Sequence, residues 1–242
     1  MSAVGTLLGV GVGPGDPELL TIAAVRAIEA APVVAWFAKA GRRGHARTVA
    51  DRWMKPCTEI ALEYPVTTEI AFDAPEYGAK LRAFYDEAAA NLDGHLAAGR
   101  DVALLCEGDP MFYGSFMHVF ERLGPRRQTR VVPGVTGMSG CWSAALAPMT
   151  WGDDALVILP ATLPREDLAR RLRDADAAVL MKLGRNFDKA RAALRDAGLE
   201  ARAIYVERGT HEAQRIVPLS EVDGAAAPYF SLILVPGRGR RP

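Results

Sequence analysis

Short apolar runs alternate with amphipathic stretches along most of the chain, which is the pattern of an α/β protein. Thr6–Val12 reads as a strand, and a helix is predicted from about Pro17 to Ala30. Proline suits the first helical turn, and Asp16 just before it can cap free N–H groups. Pro32–Phe37 is a second strand, followed by the basic, glycine-punctuated segment Lys39–Arg47 and a helix to Lys55. Beyond a proline-broken stretch, Tyr64–Pro75, a long helix is expected from about Glu76 to Ala98, ending at Gly99. Strands at Asp101–Cys106 and Gln128–Val132 then alternate with helices at Ser115–Leu123 and Thr136–Leu146.

Turn-forming residues interrupt this rhythm at Ala147–Asp154, and a domain boundary is placed there, giving domains 1–148 and 149–242. The second part offers strands at Ala155–Leu159, Ala177–Leu183, Ala201–Glu207, Arg215–Pro218 and Tyr229–Val235. Helices are expected at Arg165–Asp174 and Asn186–Ala197. The last three strands follow too closely for helical crossovers, so antiparallel pairing and a mixed sheet are expected. The tail Gly237–Pro242 is expected to fray.

Composition changes this picture mainly by exclusion. Twenty-nine basic residues balance twenty-nine acidic ones, so no global field favours nucleic acid or an anionic membrane. The first fifteen residues read as a strand and turn, not a signal peptide. No apolar run reaches the roughly 18 residues of a membrane helix, so a cytoplasmic protein is expected. Cys57, Cys106 and Cys141 suggest neither a disulfide framework nor a zinc site, and the four histidines lack metal-ligand spacing; no metal is expected.

The chemistry concentrates in three loops at strand ends. The first, Gly9–Pro17, fails the dinucleotide fingerprint because Pro14 and Asp16 stand where glycine is required. The second strand also ends in Trp36-Phe37-Ala38-Lys39, without the acidic residue a ribose needs. No P-loop motif occurs. The second loop, Cys106–Ser115, carries Glu107 and Asp109, which repel phosphate but suit a cationic ligand or hydroxyls. The third, Val132–Ser139, is small and glycine-containing before a helix. In open α/β sheets ligands collect outside the carboxyl ends of strands, so three such loops point to one shared site.

Taken in order, Val10–Thr21, Glu107–Pro110, Pro133–Gly137, Met181–Gly184 and Glu207–Thr210 resemble the motifs of the class III tetrapyrrole methylases. The resemblance covers nearly the whole chain. It implies two α/β domains with S-adenosyl-L-methionine in the cleft between them, S-adenosyl-L-homocysteine as product, and a homodimer. It also implies cofactor contacts from Pro14, Glu107, Gly108, Asp109, Phe112, Thr136, Gly137, Met181 and Gly209. Within the family, the chain most resembles the branch that methylates C20 of precorrin-2 in cobalamin biosynthesis. That likeness rests on the first loop, on Glu107 before Gly-Asp-Pro, and on the insertion Glu63–Glu69.

The resemblance implies a direct displacement by an electron-rich meso carbon, with the protein supplying alignment and desolvation. Glu107, Asp109 and Tyr113 are near enough in sequence to remove the meso proton, and nothing in the sequence selects among them. The substrate's carboxylates call for cations. Lys39, Arg42 and Arg43 are the candidates, with His45 and Arg47 nearby and Tyr113 as a further substrate contact. Trp36, Phe37 and Phe112 could line the macrocycle, although Trp36 and Phe37 alternate in a strand, so at least one faces the core. Three alternatives stay open. One is a different acceptor: another ring position, cobalt-factor II, or a non-tetrapyrrole substrate as in diphthamide-pathway relatives. The others are a non-catalytic nucleotide-like binding module and a nicotinamide-dependent reductase.

Overall fold

A computed structural model describes residues 4–65, 75–223 and 227–239. The expected insertion residues 66–69, the tail residues 240–242 and the first three residues lie outside the described set. The described chain forms two compact units, Met1–Gly137 and Met138–Pro242.

In the first unit, β1 (Leu7–Gly11), β2 (Val33–Lys39), β3 (Thr58–Tyr64), β4 (Val102–Cys106) and β5 (Thr129–Val132) form one sheet in the order β3-β2-β4-β1-β5. All neighbouring strands are parallel. Helices α1 (Ile22–Ala30), α2 (His45–Val49), α3 (Pro75–Ala97) and α4 (Phe116–Leu123) make the crossovers. Strand parity divides the core. Leu7, Val33, Ala35, Val102 and Leu104 pack with Leu92, Leu96, Phe116 and Val119 of α3 and α4. Val10, Val34, Trp36, Ala103 and Leu105 pack on the other face with Ala24, Ile28, Ala46 and Val49 of α1 and α2. Burial on both faces explains the near-continuous apolar runs of β1, β2 and β4.

Local chemistry sets the boundaries. The predicted helix from Pro17 splits in two. Asp16 Oδ1 accepts the Glu18 N–H at 2.8 Å and caps a single 3-10 turn, Pro17–Leu19. Thr21 Oγ1 then accepts the Ala24 N–H at 3.1 Å and starts α1. The helix expected to run to Lys55 also stops early, at Val49, and is followed by a 3-10 turn at Asp51–Trp53. β3 escaped the sequence reading because it is an edge strand with polar Thr58, Glu59 and Glu63 among its apolar positions.

The second unit contains β6 (Leu156–Pro160), β7 (Ala177–Met181), β8 (Ile204–Glu207), β9 (Arg215–Pro218) and β10 (Ser231–Val235), in the order β6-β7-β10-β8-β9. β6 and β7 are parallel, and the remaining pairings are antiparallel. Since β10 runs against both β7 and β8, those two strands point the same way and end on one edge. Helices α6 (Arg165–Arg173) and α7 (Phe187–Asp196) cover one face through Leu168, Leu172, Ala190 and Leu194. The opposite face, through Val179, Val206 and Leu234, packs against Cys141 of α5 (Gly137–Ala144) and Met149. The Gly237 N–H donates to the Met149 carbonyl at 2.8 Å, so the described start of the tail is tied down. Among the described residues no helix is long and apolar enough to cross a membrane.

Candidate functional site

The outgoing connections of adjacent β1 and β4 cross to opposite sides of the sheet, β1 to β2 and β4 to β5. Such a switch point opens a crevice at the strands' carboxyl ends. The three glycine-containing loops meet there. The Val12 N–H donates to the Cys106 carbonyl at 2.9 Å, and the Gly108 N–H to the Gly13 carbonyl at 2.8 Å. Gly108 adopts φ +64°. The third loop comes closer still: a Cβ on Gly134 would lie 2.1 Å from the Gly108 carbonyl oxygen, and one on Gly11 would lie 2.6 Å from the Gly134 nitrogen. Only glycine at these crossings allows three backbones to converge.

Asp109 locks the arrangement. Its Oδ1 accepts the Met111 N–H at 2.9 Å and its Oδ2 the Gly134 N–H at 3.1 Å, joining the second loop to the third. Pro14 and Phe112 are half-buried in the first and second loops, and Thr136 and Gly137 close the third beside Gly108. Tyr113 follows with φ +53° and an exposed ring set edge-on to Phe112, the centroids 4.9 Å apart.

Glu107 is different. Strand parity directs position 107 to the side of Ala103 and Leu105, which pack with α1 and α2. The Ala46 backbone in α2 hydrogen-bonds its carboxylate and favours the charged form. Water reaches this side chain, yet protein atoms crowd it closely enough that desolvation outweighs that bond and pushes its pKa up to about 7. Burial also holds the neighbouring Cys106 thiol well above its ordinary range, leaving it inert.

In the second unit the remaining motif residues stand where their strands end. Met181 closes β7, its carbonyl accepting the Ala161 N–H at 2.7 Å, and the following Lys182 has φ +59°. Gly209 follows β8 between Arg208 (φ +50°) and Thr210 (φ +72°), and a Cβ there would lie 2.6 Å from Cys141 Sγ. Left-handed backbone at non-glycine residues stores strain and gathers at functional sites.

The basic segment after β2 divides into two groups. Arg43 is exposed and pairs with Asp51 at 2.5 Å. Arg47 is buried, bonds Glu59 at 2.7 and 3.0 Å and Asp51 at 2.8 Å, and lies over the Trp36 ring. Lys39 and Arg42 are exposed. Trp36 is the core member of its alternating pair, only 8% exposed. Phe37 joins Tyr64, Phe84 and Tyr85 in an aromatic group. One feature was missed from sequence: the Tyr85 hydroxyl donates to Ser115 Oγ at 3.0 Å, and the Tyr64 oxygen lies 2.5 Å from the same atom. Those residues are far apart in sequence, so no local signal marks them. No group of three or more potential metal ligands occurs among the described residues.

Known proteins match the chain over most of its length. The family model for tetrapyrrole (corrin/porphyrin) methylases matches residues 6–223. A precorrin-2 C(20)-methyltransferase from Sinorhizobium sp is 52% identical, covering 99% of this chain and 98% of that protein. A cobalt-precorrin-2 C(20)-methyltransferase from Salmonella typhimurium is 30% identical, covering 96% of each. Among solved structures, a cobalt precorrin-4 methyltransferase from cobalamin biosynthesis superposes with a TM-score of 0.74 at 20% identity, covering 96% of this chain and 94% of that one. With motifs, fold and matched length in agreement, the chain belongs to the tetrapyrrole (corrin/porphyrin) methylase family.

Proposed function

We propose that this chain is an S-adenosylmethionine-dependent C-methyltransferase that methylates C20 of precorrin-2 to precorrin-3A in cobalamin biosynthesis. The observation that carries the reading is 52% identity, over nearly the full length of both chains, to a protein of that activity. The proposed cofactor contacts are Pro14, Glu107, Gly108, Asp109, Phe112, Thr136, Gly137, Met181 and Gly209.

The loop chemistry fits the donor. Val10–Leu20, Glu107–Ser115 and Pro133–Gly140 contain no lysine or arginine, so they suit a sulfonium better than a phosphate. Gly11 and Gly134 let the three loops pack backbone against backbone at the strand ends, and Gly108 supplies the left-handed turn between them. When bound, the cofactor supplies a methyl group on a good leaving group, and the reduced macrocycle is itself nucleophilic. The chain's contribution is therefore to orient and to exclude water: Asp109 holds two loops in register, and glycine backbone permits close approach. Alignment of this kind supplies about 7–11 kcal/mol in favourable cases.

Lys39, Arg42 and Arg43 are the proposed partners of the substrate carboxylates, and Tyr113 is a further proposed substrate contact. Arg43 also pairs with Asp51, so any carboxylate it takes would share its guanidinium with that residue. A cytoplasmic homodimer completes the reading, supported by the family's usual form, and analytical ultracentrifugation tests the dimer. Titration calorimetry with S-adenosylhomocysteine should give saturable binding, with no response to NAD(P); absence of S-adenosyl binding at high concentration rejects the reading. Incubation with purified precorrin-2 should place the new methyl at C20 by NMR. A methyl elsewhere, or turnover of the cobalt form alone, would redirect the substrate assignment.

A further inference from the structure

Serine is a favoured helix N-cap because its hydroxyl accepts an N–H from the first turn. Ser115 stands at that position of α4, yet its side chain makes no capping bond. The Met117 and His118 N–H groups donate instead to the Gly114 and Ser115 carbonyls, at 3.3 and 3.2 Å. Ser115 Oγ turns to two other elements. It accepts the Tyr85 hydroxyl of α3 at 3.0 Å and lies 2.5 Å from the Tyr64 oxygen at the end of β3. A hydroxyl has one proton and two lone pairs, so it can hold both partners. The tyrosines are themselves fixed. Tyr85 is buried with its ring centroid 4.4 Å from that of His118, and Tyr64 stacks on Phe37 at 5.6 Å.

That tie falls where the second loop needs one. The loop's incoming end is fastened by the Gly108 N–H on the Gly13 carbonyl and by Asp109 on the Gly134 N–H. Between the two ends Tyr113 holds φ +53°. The loop also doubles back so tightly that a Cβ on Gly114 would lie 3.0 Å from the Pro110 carbonyl oxygen. A left-handed non-glycine residue persists only where its surroundings over-determine it. With one end loose, Tyr113 would relax and carry along Phe112, whose ring is set edge-on against it. We propose that Ser115 is a positioning residue: clamped by Tyr64 and Tyr85, it fixes the outgoing end of the second loop and so sets Phe112 and Tyr113 for the ligands. The clamp also reaches the basic rim. Tyr64 is in register with Lys39, and the adjacent Glu63 accepts the Gly41 N–H at 3.1 Å. The consequence for turnover rests on the precorrin-2 reading, while the clamp itself does not.

Chymotrypsin, which cuts after aromatic residues in opened segments, tests the clamp without any substrate. Tyr229, 81% exposed and in the second unit, serves as the internal standard. In Ser115→Ala, nicking after Tyr113 should rise about tenfold relative to nicking after Tyr229, because the loop opens more often. Tyr64→Phe and Tyr85→Phe keep their rings and should each show part of that rise. The double phenylalanine variant should match Ser115→Ala, and Ser115→Thr should return the wild-type rate. Turnover of precorrin-2 should fall in the same order, with kcat/KM about tenfold down in Ser115→Ala and recovered in Ser115→Thr. A hydroxyl that only stabilises the fold would lower the melting temperature and leave kcat/KM unchanged. That result, or wild-type nicking after Tyr113 in the double phenylalanine variant, would overturn the role. If the wild-type enzyme leaves precorrin-2 unmethylated, the substrate reading falls, and nicking alone decides the clamp.

Discussion

At the scale of single residues, the loops at the strand ends carry two opposite constraints on stability. Glu107 is held protonated well above the ordinary glutamate range, so its charge costs the folded state. Below about pH 4.5 the carboxyl is protonated whether folded or unfolded, and Glu107→Gln should leave the melting temperature unchanged. Between there and about pH 7 the unfolded chain gives up its proton first, so native stability declines as pH rises. The variant escapes that decline. Its melting temperature should exceed wild type at pH 8 but not at pH 4, by scanning calorimetry, and equal melting at both pH values would contradict this. Gly134 presents the opposite constraint. With its Cβ position 2.1 Å from the Gly108 oxygen, Gly134→Ala should cost about 3 kcal/mol in urea unfolding, because neither backbone can yield without moving Asp109. A loss under about 1 kcal/mol would mean the crossing is looser than the backbone indicates.

At the scale of elements, the segment between β2 and β3 is a brace as well as a rim. The buried Arg47 guanidinium joins α2 to Glu59 of β3 and to Asp51 in the next turn, and it stacks over Trp36. This holds an edge strand whose polar positions give it little core of its own. Arg47→Ala should cost about 1–3 kcal/mol, since it strips the packing of a buried stem and ring while leaving two half-exposed carboxylates to water, measured by denaturant midpoint. The bonds from Arg47 keep the Glu59 carboxyl below its ordinary range. That contribution is present above the ordinary glutamate pKa and disappears as pH falls through the lowered one. The acid side of the stability curve should therefore flatten in Glu59→Gln, and an unchanged acid slope would exclude the brace.

At the scale of the whole molecule, charge is balanced and each unit has its own core. A neutral protein exerts little long-range pull on a polycarboxylate, so recognition falls to local cations. Raising ionic strength from about 0.01 M to 0.15 M shortens the Debye length from about 30 Å to about 8 Å, and should raise the wild-type KM for precorrin-2. In a Lys39→Ala/Arg42→Ala variant KM should be about tenfold higher at low salt and nearly flat with salt, with kcat retained. A salt response equal to wild type would place the carboxylate sites elsewhere.

The order of strands and helices, the three loops, and the family they resemble could all be read locally. Hydrophobic period, glycine spacing and motif order are properties of neighbours in the chain. The edge strand β3 and the split before α1 were harder to read, because an exposed edge blurs the apolar pattern and two successive caps, Asp16 and Thr21, compete for one helix start. What only the tertiary structure decided is how residues distant in sequence divide the work. Gly134 donates to Asp109, Arg47 turns from rim to brace by meeting Glu59, and Tyr64 and Tyr85 share Ser115. Most of all, the sequence offered Glu107, Asp109 and Tyr113 as equals. A carboxyl's proton affinity depends on the solvent it loses and the donors it gains, and both are set by packing between elements rather than by position in the chain.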